Sequence, residues 1–80
     1  MAEYSVEEFE NKCMDVIEKI VSIDPRQNRT QAIAVAEKML EKAKQKTTNK
    51  NIISIYERVV KEFKIATDAE YEMLRKQIFG

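Results

Sequence analysis

Eighty residues bound the chain to one small domain, residues 1–80, which hides only a little over about 60% of the surface its unfolded form exposes. Charged residues make up 35% of it, and Gly and Pro occur once each, so it lacks the turn residues that sheets need and favours an all-α fold. Fourteen basic and fourteen acidic side chains cancel, and a pI near 6.3 argues against a general nucleic-acid binder.

There is no His, so the commonest general base and the commonest metal ligand are both missing, and Cys13 alone cannot build a zinc site or an intramolecular disulfide. The expectation is a non-enzyme with no cofactor, no metal and no small-molecule substrate. Glu3, Glu7 and Glu8 stand where a signal peptide would be basic and then apolar, and no apolar run approaches the roughly 20 residues that span a bilayer. A soluble, cytoplasmic protein is expected.

Ser5 and Glu8 have the spacing of a capping box, and Val6, Phe9, Cys13, Val16, Ile17, Ile20 and Val21 follow on one broad face. This predicts a first helix over residues 5–22, with Cys13 buried as a small hydrophobe and its thiol pKa raised. Pro25 suits a first helical position, and Asp24 with Gln27 three residues on resembles a second capping box, with Thr30 as a rival cap. A second helix is therefore predicted over 25–46. Its stripe is Ala32, Ile33, Val35, Ala36, Met39, Leu40 and Ala43, small enough to let a neighbouring helix come close. Arg26 and Arg29 at its start offer two guanidinium groups to a phosphate, a weak signal without a Gly-rich loop.

Thr47 to Lys50 form a short polar loop, which makes the helices on either side antiparallel neighbours. The third helix, over 51–65, carries Ile52, Ile55, Tyr56, Val59, Val60 and Phe63 in one stripe, with Ile65 off it. Thr67 and Glu70 give a further capping box, opening a last helix over 68–78 with Tyr71, Leu74 and Ile78 on its inner face. An antiparallel four-helix bundle follows, with Phe9, Ile17, Ile20, Leu40, Tyr56, Val59, Val60 and Phe63 in its core.

Charge is unevenly laid down along the chain. Residues 1–25 carry seven acids against two lysines, residues 26–50 carry seven basic groups against two acids, and the remainder balances. Two explanations stand: the first two helices lie side by side with complementary surfaces, or the basic segment 42–50, with Lys42, Lys44, Lys46 and Lys50, meets an anionic partner.

The run AEKMLEKAKQK, a short polar loop, an amphipathic helix and then KIATDAEYEMLRKQI resemble the immunity proteins of pediocin-like bacteriocins, over residues 24–78. That resemblance implies a cytoplasmic four-helix bundle that protects a producing cell from its own antimicrobial peptide by recognising a bacteriocin-bound membrane receptor, with the C-terminal half deciding which bacteriocin is recognised. A small phage- or plasmid-type regulator that binds a host protein is the alternative, with nucleic acid a third and less favoured partner. For a protein partner, the candidate contacts are Met73, Arg75, Lys76 and Phe79, which lie off the inner face of the last helix. Phe79 has a second reading, folding back to close the end of the bundle.

Overall fold

Helices start where a short polar side chain can accept backbone N–H groups that have no partner in the first turn. In the computed structural model, which describes residues 4–80, this happens four times. Ser5 Oγ accepts from the Glu8 N–H at 3.1 Å, and Glu8 Oε1 accepts from the Ser5 N–H at 3.2 Å, opening α1 (Val6–Val21). Asn28 and Gln31 exchange the same pair of bonds at 2.8 and 2.9 Å, opening α2 (Arg29–Lys46). Asn49 Oδ1 accepts from Asn51 at the start of α3 (Lys50–Ile65), and Thr67 with Glu70 closes a third reciprocal cap at α4 (Asp68–Phe79). There is no strand among the described residues.

The second helix therefore begins at Arg29, four residues later than Pro25. Asp24 is not its cap: the carboxylate turns back to accept from the Arg26 N–H at 2.8 Å. Thr30 lies inside the first turn, and Gln27 is buried elsewhere.

Cys13, Ile17, Ile20 and Val21 from α1 meet Ala32 and Ala36 from α2, Ile55, Val59, Val60 and Phe63 from α3, and Tyr71 from α4. Ile20 and Val59 are wholly enclosed, and each contributes on the order of 1.5–3 kcal/mol by leaving water. Of the expected core, Phe9, Leu40 and Tyr56 are only half-buried: Phe9 and Leu40 pack at its edge, and Tyr56 lines surface clefts. Val6, placed on the inner face by its spacing, is 77% exposed at the first turn.

The three-residue link between α2 and α3 makes them antiparallel, and they share the most extensive helix contact. The small side chains of Ala32 and Ala36 permit this approach. By contrast α1 runs parallel to α3, since the Cys13 thiol meets the Ile55 carbonyl and Ile17 lies beside Glu62 and Phe63 further along. The molecule is thus an all-α four-helix bundle in which α1 and α3 run one way and α2 the other.

Complementary charge does not join α1 to α2. Among the described residues, the ion pairs between helices are Arg29–Asp68, linking α2 to α4, and Lys64–Glu37, linking α3 to α2. The acidic side chains Glu7, Glu10, Asp15 and Glu18 of α1 are exposed. Burial of apolar stripes outweighs surface ion pairs of about 0–1 kcal/mol in choosing neighbours. Among the described residues, no helix is long and apolar enough to cross a membrane.

Candidate functional site

With Tyr71 buried and Leu74 and Ile78 packed on the core, the outer side of α4 is left to Met73, Arg75, Lys76 and Phe79. Met73 is 63% exposed and Phe79 42%, and Lys76 is exposed in the last turn. Arg75 stands apart from these. Its guanidinium is half-buried, donating to Glu72 Oε1 at 2.6 and 3.0 Å and to the Pro25 carbonyl at 3.0 Å. That hydrogen bond holds the Glu72 carboxyl below its usual range and the Arg75 guanidinium above its own. Arg75 is thus a strap between α4 and the α1–α2 connection, while Met73, Lys76 and Phe79 face outward. At 100° per residue Phe79 and Lys76 lie within about 60° of each other around α4, and Met73 lies about 60° beyond Lys76.

The same end of the molecule is organised by Gln27. Its amide donates to the Ile20 carbonyl at 3.0 Å and to the Tyr71 hydroxyl at 3.2 Å, so the loop after α1, the end of α1 and α4 share one buried knot. Tyr71 in turn packs its ring 6.0 Å from that of Phe63. Arg29 adds a second tie, donating to Asp68 at 2.8 Å and to the Phe63 carbonyl at 3.2 Å. Its guanidinium is committed to α3 and α4, so the pairing of Arg26 and Arg29 around a phosphate is not formed.

Among the described residues, three clefts of more than about 300 Å³ open on the surface. One, of about 350 Å³, lies at the α4 end between Met14, Ile65, Tyr71 and Leu74, with Glu62 and Glu70 on its rim. The other two flank Ile52 and Tyr56 on α3. Toward α2 the cleft is about 390 Å³, walled by Met39 and Ala43 and rimmed by Lys42 and Lys46. Toward α1 it is about 320 Å³, walled by Tyr4 and Val16 and rimmed by Lys12 and Asp15. Lys12 sits over the Tyr4 ring, 5.6 Å from its centre.

Lys42 and Lys46 on this rim belong to the basic segment 42–50 that the sequence offers to an anionic partner, but the apolar floor is hidden there because Ile52 and Tyr56 belong to the stripe that reads as core. The signal for that floor is the length of α4. Its 12 residues span about 18 Å against about 24 Å for α3, and Arg75 and Tyr71 hold it at the end where α1 finishes.

Cys13 is buried, its thiol directed at the Ile55 carbonyl, and desolvation raises its pKa above the ordinary thiol value. Every buried side-chain nitrogen and oxygen among the described residues has a hydrogen-bond partner. No group of three or more Cys, Asp or Glu among the described residues is arranged to hold a metal ion. Compared with known proteins, the chain matches no family model, no curated protein and no solved structure.

Proposed function

We propose that the chain is a non-catalytic immunity-type protein that acts in the cytoplasm by recognising another protein, a bacteriocin-bound membrane receptor, through the outer side of α4. The observation that carries the reading is the exposure of Phe79 and Met73 beside Lys76, on a helix whose Tyr71, Leu74 and Ile78 are already engaged with the core. An aromatic side chain next to a cation, half in water, is the kind of group that dominates affinity once a partner's pocket desolvates it. The all-α bundle agrees with the architecture that the resemblance of residues 24–78 implies.

The test is protection. The chain is expressed in a strain sensitive to pediocin-like peptides, and survival against a panel of them is compared with that of a Phe79→Ala variant. Protection by the native chain, lost in the variant at an unchanged melting temperature, supports the reading. Unchanged killing across the panel by cells that contain the folded native protein overturns it.

A second reading, a small regulator or adaptor that binds a host protein, draws support from the lysine-rimmed clefts at the other end of α3. Genes for a bacteriocin precursor and exporter beside this one favour immunity, and phage genes there favour the regulator.

A further inference from the structure

Ile52 and Tyr56 form the shared floor of the two clefts that flank the first half of α3. Both are half-buried, although they continue the stripe that is fully buried at Val59, Val60 and Phe63. The bundle has four helices at one end and three at the other, because α4 is short and anchored to residues 25 and 27. A fourth apolar stripe is what this half of the bundle lacks.

The rim states the charge of what would supply it. Lys42 and Lys46 stand one helical turn apart on α2, both exposed and neither in an ion pair among the described residues. Lys12 stands across the floor on α1, with Asp15 the only acid lining either cleft among the described residues. The cleft at the opposite end has glutamates on its rim, so the two ends select opposite charges.

We propose that this surface is a docking groove for an amphipathic helix of a protein partner, one with an apolar stripe flanked by acidic residues spaced three or four apart. Apolar side chains of the partner cover Ile52, Tyr56, Met39 and Val16, and its carboxylates reach Lys42, Lys46 and Lys12. A second copy of the chain does not meet the requirement. Its acidic helix is α1, whose apolar stripe from Cys13 to Val21 is already buried in its own core. An extended polyanion fits less well, since it brings no apolar stripe to cover Ile52, Tyr56, Met39 and Val16. The groove lies away from Phe79 and Met73, and the proposal does not depend on what α4 recognises.

The test uses the intact chain, labelled at the methyl groups of Ile and Met, and a synthetic peptide with a Leu stripe at helical spacing and Glu elsewhere. Addition of the peptide is expected to shift the methyl signals of Ile52 and Met39 while those of Ile65 and Met14 stay in place. Affinity should fall at least about tenfold in a Lys42→Glu, Lys46→Glu double variant, and should weaken as salt rises from about 0.05 to 0.5 M. Both substitutions are on exposed positions, and an unchanged melt confirms that the variant is folded. The proposal is overturned by any of three results: no shift at Ile52 and Met39, equal shifts with a peptide in which Lys replaces Glu, or binding to phosphatidylglycerol vesicles without binding to the peptide. A concentration-dependent dimer in sedimentation that disappears in the double variant would assign the groove to a second copy and overturn it equally.

Discussion

The side-chain amide of Gln27 donates to the hydroxyl of Tyr71 at 3.2 Å, a bond that spans 44 positions of chain and fastens α4 to the turn between α1 and α2. Gln27 also donates to the Ile20 carbonyl at 3.0 Å and is only 7% exposed. Gln27→Ala leaves the tyrosine hydroxyl without its donor and the Ile20 carbonyl with the Ile23 N–H at 3.2 Å alone, and is expected to cost about 2 kcal/mol. Tyr71→Phe removes one hydroxyl and keeps the Ile20 bond, for a cost of about 1 kcal/mol. Urea unfolding of both variants checks the order, and equal costs would show that the Tyr71 bond, not the Ile20 bond, matters.

Ala36 is 1% exposed on the face of α2 that meets α3, while Ala34 on the same helix is exposed. Ala36→Leu forces extra methylenes into a filled space and should cost about 1–3 kcal/mol or more. Ala34→Leu should stay within about 0.5 kcal/mol. Thermal melts followed by circular dichroism read both, and a tolerated Ala36→Leu would refute close packing of these helices.

Val60→Asp places a carboxylate at a buried position of the apolar core, a penalty comparable to the whole stability of so small a domain. The variant should lack the native helical signal at room temperature. Phe79→Ala, at a position 42% exposed, should lower the melting temperature by less than about 4 °C. A larger fall would mean that Phe79 closes the bundle end and is not a contact surface.

Burial raises the Cys13 pKa in the folded chain above its unfolded value. The neutral thiol is thus the form the fold prefers, so its contribution to stability is fully present below the unfolded thiol pKa and is lost as pH rises past it. A Cys13→Ala comparison should show the native chain losing more stability than the variant between about pH 8 and 10. In the folded state the thiol should react with an aromatic disulfide reagent orders of magnitude more slowly than in denaturant, because reaction waits on opening.

Two of the caps, Ser5 with Glu8 and Thr67 with Glu70, were legible because both partners lie within one turn of sequence. The start of α2 was misplaced because Asp24 and Gln27 carry the same spacing as Asn28 and Gln31, and local rules do not separate them. What decides is Gln27, which is needed inside to meet Ile20 and Tyr71, and no local pattern announces a bond 44 residues away. The charge reversal between residues 1–25 and 26–50 misled for a related reason, since exposed ion pairs are too weak to choose which helices touch. Met73, Lys76 and Phe79 were read correctly as outward-facing from their angle around α4, whereas Arg75 was not, because its acceptor is the Pro25 carbonyl. Ile52 and Tyr56 looked like core because periodicity reports which residues share a face and says nothing of how far the next helix extends to cover it.

The reciprocal caps at Ser5, Asn28 and Thr67 have a kinetic side. At Ser5 and Thr67 the start of the helix is set by four consecutive residues and does not wait for the chain to collapse, whereas the start of α2 at Asn28 also needs Gln27 to find Ile20 and Tyr71. The slow search in folding is then over how preformed rods align, with α2 and α3 joined by three residues as the first pair to meet. Refolding from urea should be complete within milliseconds. Removing the cap at Thr67 should leave that rate unchanged and speed unfolding instead, since α4 adds its single buried side chain only after the other three have met.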